Sequence, residues 1–334
     1  MLSVHCTERC SDWSLPVRPA IEAEGVSKIY RSRDGESGLR ELSLHANEGE
    51  VLALLGPNGA GKTTAIKGFA TLVAFDRGTA RVGGYDVSTE AARVREHIGL
   101  VGQYAAVDEQ LTAGQNLRFF GRLRGLSRRS AGQRADELIE GFGLGEAQNR
   151  AVSTFSGGMR RRLDLAASLV VPPQVLFVDE PTSGLDPAAR RDLWESLRAL
   201  VRGGTTILLT TQYLEEADQL ADRIVLLARG TVVAQGTPNE LKTLVGPPVV
   251  QVVLGTTDDA QSSLRVLSAI CAQAHLDEHT TTVTLPGSSA TVLGRVVADL
   301  SSAGITPAEV TLRRPSLDEV FLTLTGSHHD TEEN

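Results

Sequence analysis

A run of eight residues in the first quarter of the chain has the types and spacing of a phosphate-binding loop, G-x-x-x-x-G-K-[ST]. The residues are Gly56, Pro57, Asn58, Gly59, Ala60, Gly61, Lys62 and Thr63. Glycines let successive backbone N–H groups turn toward phosphate oxygens, and the start of a following helix adds partial positive charge. The Lys62 ammonium can then reach the β- and γ-phosphates, and the Thr63 hydroxyl can ligate Mg²⁺. The pattern predicts a nucleotide site, and we include Thr64 among its contacts.

Lysine is scarce in this chain, which makes Lys62 stand out. Only four of the 33 basic residues are lysines, and the others are arginines. A compact ammonium group and a planar guanidinium group are not interchangeable against a phosphate. The retained lysine therefore supports the interpretation of residues 56–63 as a phosphate loop.

Two adjacent acidic residues, Asp179 and Glu180, follow a short apolar run at 175–178. Paired acids at the end of a strand are costly unless a cation or a proton stabilises them. Asp179 is placed to hold Mg²⁺ through a water molecule, and Glu180 to polarise the attacking water as a general base.

These residues must be positioned by strands and helices. The apolar run at 51–55 predicts a buried strand before the loop, and a helix is predicted from Lys62 to Leu72. Further buried strands are expected at 175–178 and 206–210, and residues 113–171 are expected to be mostly helical. Alternating strands and helices favour a mainly parallel α/β sheet with a helical insertion.

The sequence after residue 238 changes character and predicts a small α+β domain. Its expected elements are strands at 249–254 and 281–285, and helices at 262–274 and 290–300. Residues 316–319 have the pattern of a capping box that opens a last helix through Leu324.

A third motif, residues 155–162, narrows the possible functions that the phosphate loop and the acidic pair leave open. Ser156 is a natural helix N-cap, and the pair Gly157 and Gly158 lets the backbone approach a ligand. Three arginines in the first turn, residues 160–162, oppose the helix macrodipole and would favour a nearby anion, although arginines taken singly are usually solvated.

With these motifs in this order, the chain resembles the ATP-binding-cassette (ABC) family over about residues 21–240. The resemblance implies that Tyr30 stacks on adenine and that Gln103 touches Mg²⁺ and the attacking water. It also implies that the loop 183–186, with Asp186, joins two ATP sites across a dimer.

The same resemblance implies partners. Two cassettes pack head to tail, and each ATP lies between one phosphate loop and Ser156, Gly157 and Gly158 of the other copy. One copy therefore cannot complete a site and needs a second copy of itself. An integral membrane permease is expected to bind near residues 103–110, which would locate the chain at the cytoplasmic face of a bacterial membrane.

One position departs from the general family pattern. Gln212 stands where most cassettes have a histidine that contacts the γ-phosphate. An amide can donate a hydrogen bond but cannot carry a proton in the same way. We include Gln212 with Lys62, Gln103 and Glu180 in the expected catalytic set.

Three features together resemble the daunorubicin/doxorubicin-resistance ATP-binding subunits of bacterial drug exporters. They are Gln212, the stretch SGGMRRRLDLAASL at 156–169 and RPSLDEVFL at 314–322. With this subgroup the resemblance extends over about residues 21–326.

Composition sets outer limits on function. The net charge of −8 argues against a nucleic-acid binder that works by bulk charge. No stretch reaches the roughly 18–20 uninterrupted apolar residues of a membrane-spanning helix. The expected organisation is a flexible extension at 1–20, a cassette at 21–240 with a helical subdomain at about 104–171, an accessory α+β domain at 246–326 and a tail at 327–334.

The expected function is an ATP hydrolase that powers export of a hydrophobic, anthracycline-like antibiotic through a separate permease, with ATP and Mg²⁺ as cofactors. The alternatives are an ABC exporter of a lipid or polysaccharide and a soluble ABC ATPase outside transport. A binding module without catalysis is a further alternative that rests on Gln212 alone.

Overall fold

The computed structural model describes residues 19–32, 35–103 and 105–326. These residues fall into two compact units. The first comprises the described residues up to 212 together with 229–232, and the second comprises 213–228 and the described residues from 233 onward. The expected boundaries of the cassette and the accessory domain stay predictions. Of the expected flexible extension, Pro19 and Ala20 already belong to a strand, and the rest lies outside the described residues, as does the tail.

The strands in the described part of the chain are β1 (Pro19–Ser32), β2 (Gly35–Asn47), β3 (Val51–Leu55), β4 (Arg77–Val82), β5 (Tyr85–Asp86), β6 (Ile98–Val101), β7 (Val175–Asp179), β8 (Thr206–Thr211), β9 (Arg223–Ala228), β10 (Thr231–Gly236), β11 (Val249–Val253), β12 (His275–Asp277), β13 (Thr282–Leu285) and β14 (Glu309–Arg313).

The α-helices are α1 (Lys62–Phe69), α2 (Ala91–His97), α3 (Ala113–Leu123), α4 (Arg128–Gly141), α5 (Gly157–Ser168), α6 (Pro187–Arg202), α7 (Leu214–Leu220), α8 (Pro238–Thr243), α9 (Thr257–Leu267), α10 (Ala290–Ser302) and α11 (Leu317–Gly326).

A parallel sheet carries the centre of the first unit. β3 pairs with β8, β8 with β7, and β7 with β6, all in parallel. Every residue of β3, β7 and β8 is buried, as expected for strands covered on both faces. The predicted parallel α/β sheet is thus confirmed. Because parallel strands end at the same edge, the segments after β3 and β7 emerge at one edge of the sheet, on either side of β8.

An antiparallel sheet in the first unit has the strand order β2-β1-β4-β5. The register of β1 on β2 pairs Tyr30 with Ser37 and Ile29 with Gly38. The β1–β2 pair therefore presents Tyr30 and Ser37 side by side.

The predicted helical stretch is confirmed as α3, α4 and α5, with two short 3₁₀ helices at 145–147 and 152–154. Thr112 and Gln115 form a capping box at the start of α3. Helix α1 ends at Phe69 and not at Leu72, because Thr71 adopts a left-handed backbone with φ of 61°.

The second unit contains a four-stranded antiparallel sheet of order β12-β13-β11-β14. With α9 and α10 it forms a β-α-β-β-α-β arrangement, which we call the C-terminal sheet domain (residues 249–313). Its fully buried core includes Val250, Val252, Val283 and Leu300.

Strands β12 and β14 were not predicted from the sequence, and the predicted bounds of the helix at 262–274 were wrong. Thr256 caps α9, so the helix begins at Thr257 and ends at Leu267. The expected last helix is confirmed. Its capping box is present, because Ser316 N–H donates to Glu319 Oε2 at 2.9 Å and Glu319 N–H donates to Ser316 Oγ at 3.3 Å.

Candidate active site

The loop that follows β3 depends on glycine at two positions. Gly59 and Gly61 have φ of 80° and 97°, which is the left-handed region. A side chain at Gly61 would also place its Cβ 2.8 Å from Leu39 Cδ2 and 2.9 Å from the Gly38 carbonyl oxygen. Helix α1 starts immediately afterward, with Ala65 N–H donating to the Gly61 carbonyl at 3.0 Å. The loop is therefore held open at a helix N-terminus, the geometry that binds phosphate.

Lys62 is almost fully buried beneath this loop, with 4% of its surface exposed. Its Nζ donates to the carbonyl oxygens of Gly56 at 2.8 Å and Pro57 at 3.0 Å, and lies 3.2 Å from Glu180 Oε1. A buried ammonium is tolerated because these acceptors compensate for its lost hydration. The cation is thus held at the base of the loop, where phosphate oxygens could bind it.

Asp179 and Thr63 bring two oxygen ligands together. Thr63 Oγ1 donates to Asp179 Oδ1 at 3.3 Å, and Thr210 Oγ1 donates to the same carboxylate oxygen. Asp179 is 4% exposed. Mg²⁺ prefers oxygen ligands and is commonly held by one or two carboxylates with substrate phosphates. This donor set therefore fits Mg²⁺.

Glu180 has a strained backbone. Its φ of 47° is left-handed, a conformation that costs a residue with a side chain roughly 1–2 kcal/mol. Its N–H donates to the carbonyl and to Oγ1 of Thr210, both at 3.1 Å, and Ser183 Oγ donates to Glu180 Oε2 at 3.3 Å. Strain of this kind persists only where surrounding contacts fix it, and such residues cluster at functional sites.

A pocket of about 270 Å³ is lined by nine of the eighteen predicted site residues, which come from four separate stretches of the sequence. Its lining residues are Tyr30, Ser37, Gly38, Asn58, Gly59, Gly61, Lys62, Thr63, Thr64, Gln103 and Glu180. Sequence reasoning missed Ser37 and Gly38. The strand pairing that sets them beside Tyr30 and Ile29 is the signal that could have found them.

Other predicted residues lie near the pocket without lining it. Gly56 and Pro57 contribute carbonyls to Lys62, and Ala60 is buried with its N–H on the Pro57 carbonyl at 3.2 Å. Gln212 is half-buried and follows Thr211, whose carbonyl accepts from Gly56 N–H at 3.2 Å. Gln212 is thus adjacent to the start of the loop, and its catalytic role stays a prediction.

The motif at 156–158 and Asp186 are not among the described residues that line the pocket. Ser156 Oγ accepts from Met159 N–H at 3.2 Å and caps α5, as predicted. Asp186 caps α6 by accepting from the N–H groups of Ala189 and Ala188, both at 2.9 Å. These hydrogen bonds, with that from Ala189 the largest, hold the pKa of Asp186 below its usual value.

The expectation that the arginines of α5 form a solvated face or attract an anion is wrong for Arg161. This side chain is buried, and its guanidinium binds carbonyl oxygens of the protein itself. Arg160 forms an ion pair with Glu109 at 2.9 Å. Arg161 also lies 3.6 Å from Asp164. Burial raises the pKa of Asp164, against the opposing effects of the Ala106 N–H and Arg161.

Comparison with known proteins decides the family. The model of the family described as ABC transporter matches residues 39–183. The daunorubicin resistance ATP-binding protein DrrA2 of Streptomyces coeruleorubidus is 50% identical over 315 residues, which are 94% of this chain and 96% of that protein. This chain belongs to the ABC transporter family. The resemblance to the daunorubicin/doxorubicin-resistance subgroup is confirmed at the same time.

Two further similarities support the assignment of this chain to the ABC transporter family. The daunorubicin/doxorubicin resistance ATP-binding protein DrrA of Streptomyces peucetius is 48% identical and covers 93% of this chain and 94% of that protein. The solved structure of cbiO1 from Clostridium perfringens, part of the ABC transporter complex cbiONQ, matches with a TM-score of 0.61 and 25% identity. It covers 68% of this chain and 93% of that one.

Membership of the family establishes the reaction class. The protein is an ATP-binding and ATP-hydrolysing subunit of the ABC transporter type. Proteins of this type work in ABC transporter complexes, as the matched cbiO1 does. Within the described residues, no helix of this ABC subunit is both long enough and apolar enough to cross a membrane.

Proposed function

We propose that this ABC subunit hydrolyses Mg²⁺-bound ATP in the pocket around Lys62 and thereby energises efflux of a hydrophobic, anthracycline-like antibiotic through a separate membrane permease. The observation that carries the catalytic part is the approach of Lys62 Nζ to Glu180 Oε1 at 3.2 Å beside the Thr63–Asp179 pair. The names of the two similar Streptomyces proteins support the class of cargo.

Each pocket residue has a proposed role in the reaction. Lys62 binds the β- and γ-phosphates, and Thr63, Asp179 and Gln103 would hold Mg²⁺, which would offset part of the negative charge of the phosphate oxygens. Glu180 accepts a proton as a water oxygen bonds to the γ-phosphorus and the bond from that phosphorus to the β–γ bridging oxygen breaks. The products are ADP and phosphate. Tyr30, 39% exposed at the pocket rim, stacks on adenine.

Nucleotide contacts on the γ-phosphate side are proposed to come from a second copy of the chain. Residues 156–158 cap the start of α5 but are not among the described lining residues of their own pocket. A Cβ placed on Gly157 would meet only Leu185 Cδ2, at 3.9 Å. The open backbone at Gly157 supports a head-to-tail dimer, in which Ser156, Gly157 and Gly158 of one copy, together with Asp186, complete the other copy's site. Gln212 is proposed to donate a hydrogen bond to the γ-phosphate.

The permease is proposed to bind a groove whose lining includes Ala106, three residues after Gln103. We call this groove, which has a volume of about 270 Å³, the Ala106 groove. It is lined by Ala70, Leu72, Arg95, Ile98, Gly99, Leu100, Ala106, Phe120, Arg124, Asp164, Ala167, Ser168 and Val171. Leu72 and Leu100 are exposed at 59% and 36%. Apolar side chains exposed together in one groove favour a contact surface, and the permease is the partner proposed for it, at the cytoplasmic face of the membrane.

The base role of Glu180 is tested by Glu180→Gln. Glutamine keeps the size of the side chain but is not a base, so phosphate release should fall by about 100-fold or more. ATP should still bind, and a dimer should accumulate with ATP in size-exclusion chromatography. Glu195→Gln, at a side chain of α6 that is 66% exposed, is the matched control and should change neither measurement. Wild-type turnover in Glu180→Gln would remove the proposed base.

The efflux part is tested in the host cell. Deleting the gene should increase sensitivity to hydrophobic antibiotics, and re-expressing the wild-type chain should restore resistance, whereas Glu180→Gln should not. Unchanged sensitivity across a panel that includes anthracyclines would reject the drug-efflux proposal and leave the ATPase proposal standing.

A further inference from the structure

A single buried guanidinium connects three stretches of the first unit. Arg161 lies on α5 with 9% of its surface exposed. Its Nη1 donates to the Gly102 carbonyl at 2.6 Å, its Nη2 to the Asp179 carbonyl at 3.0 Å and its Nε to the Pro181 carbonyl at 3.0 Å. Only a planar group with several fixed donors can satisfy three carbonyls in this way.

Two of these carbonyls bracket Glu180. Asp179 precedes it and Pro181 follows it, so Arg161 holds the chain on both sides of the left-handed backbone of Glu180. A strained residue keeps its conformation only while its surroundings fix it. Arg161 is therefore part of what fixes the direction of the Glu180 side chain.

The third carbonyl belongs to the residue before Gln103. One turn along α5, Asp164 Oδ1 accepts from Ala106 N–H at 2.8 Å, and Asp164 Oδ2 lies 3.6 Å from Arg161 Nη1. Asp164 is 4% exposed. The stretch that carries Gln103 is thus tied to α5 at Gly102 by one member of an ion pair and at Ala106 by the other.

We propose that Arg161 and Asp164 are a positioning pair for ATP hydrolysis: together they hold Gln103 and Glu180 at a fixed distance from each other across the pocket. The proposal rests on the roles proposed above for those two residues. Neither Arg161 nor Asp164 is among the described residues that line the pocket. The pair therefore acts on catalysis and metal use, not on the binding of ATP.

The same pair connects the pocket to the Ala106 groove. Asp164 and Ala106 both line the groove, while Gln103 and Glu180 line the pocket. A permease segment that enters the groove would touch Asp164 and Ala106 directly, and the pair would pass a displacement there to both catalytic side chains.

The test is Arg161→Lys in the full-length chain. One ammonium group cannot serve three carbonyls, so kcat should fall by about 10- to 100-fold, the cost of a small misplacement at an active site. The Mg²⁺ concentration that gives half-maximal activity should rise. The affinity for a fluorescent ATP analogue should stay within about twofold, because Lys62 and its loop are untouched.

Asp164→Asn is the second variant, because it keeps an acceptor for Ala106 N–H and removes only the charge beside Arg161. Its kcat should fall by about 3- to 10-fold, and the double variant should be no slower than Arg161→Lys within about twofold. Independent roles would instead multiply the two losses. Arg198→Lys and Glu195→Gln, which change an ion pair on α6 with an N–O distance of 2.9 Å, are matched controls and should leave kcat within about twofold.

Several results would overturn the positioning pair. They are a normal kcat in Arg161→Lys, a loss of ATP affinity equal to the loss of kcat, and multiplicative losses in the double variant. If Arg161→Lys does not fold by circular dichroism, Asp164→Asn alone decides: a normal kcat and Mg²⁺ requirement reject the pair. If Glu180→Gln has a low kcat while the Arg161 and Asp164 variants have a normal kcat, only the positioning pair is rejected. If Glu180→Gln keeps the wild-type kcat, the proposed function on which the pair rests is rejected.

Discussion

The central sheets of the two units differ in the kind of side chains that are buried around them. Around β3 and β7, the first unit buries Lys62, Asp179, Arg161 and Asp164, each 9% exposed or less. The core of the C-terminal sheet domain is made of aliphatic side chains, and its buried polar residues in the described range 249–313 are Ser263 and Ser288.

This difference shows in which region the protein loses folding stability for the sake of function. Buried charges add little net stability compared with apolar residues of the same size, and the backbone of Glu180 adds strain. The C-terminal sheet domain shows the reverse arrangement, since aliphatic burial is the main favourable term in folding. We therefore expect substitutions in the first region to change chemistry and those in the second to change stability.

The largest expected effect is that of Lys62→Ala on ATP affinity. Loss of the charge-assisted hydrogen bonds to phosphate, worth roughly 3 kcal/mol, should weaken binding by about 100-fold or more. Isothermal titration calorimetry with ATP measures this. Lys67→Ala, on the exposed side of the same helix, is the matched control and should bind normally. Normal affinity in Lys62→Ala would contradict the phosphate-loop assignment and erase the contrast between the two regions.

A second, opposite effect is expected for Leu300→Ala in the C-terminal sheet domain. Leu300 is fully buried, so truncation should lower the free energy of unfolding by about 2–5 kcal/mol. ATP affinity of the folded chain should stay unchanged. Urea denaturation followed by circular dichroism and the same calorimetric titration measure the two quantities. Leu322→Ala, at a side chain that is 68% exposed, should cost far less. A stable Leu300→Ala, or one that binds ATP poorly, would break the comparison.

The smallest expected effect concerns pH and the cap of α11. Ser316 N–H, the largest cause, together with Arg313 holds the pKa of Glu319 below its ordinary value of 4.5. A carboxyl group whose pKa is lowered on folding contributes stability above its unfolded pKa, and this contribution is lost as the pH falls through the folded value.

Glu319→Gln should therefore lower the free energy of unfolding at pH 7 by up to about 1 kcal/mol, the ordinary value of a helix cap. The difference from wild type should shrink as the pH falls below 4.5. Urea titrations at several pH values measure it. Glu309→Gln, on the exposed edge strand β14, is the control for removing an acid elsewhere in the unit. A difference that grows with acidity would have the wrong sign for this cap.

Much of the fold and of the site could be predicted from the sequence because the relevant signals are local. The phosphate loop needs a buried strand, two left-handed glycines and a helix start within about a dozen residues, and all three are local patterns. The cap of α5 at Ser156 and the capping box of α11 likewise depend on residues three positions apart. Short strands with little burial, such as β12 and β14, carry no comparable pattern and were missed.

The sequence by itself determined the loop, the acidic pair and the order of motifs that identified the family. Only the tertiary structure decided what Arg161 does, because its partners Gly102 and Asp179 lie 59 and 18 residues away in the chain. It also decided that Ser37 lines the pocket. Buried donors and acceptors need hydrogen-bond partners wherever the fold brings them together. The positions of Arg161, Gly102 and Asp179 along the chain do not reveal that the fold brings them within hydrogen-bond distance.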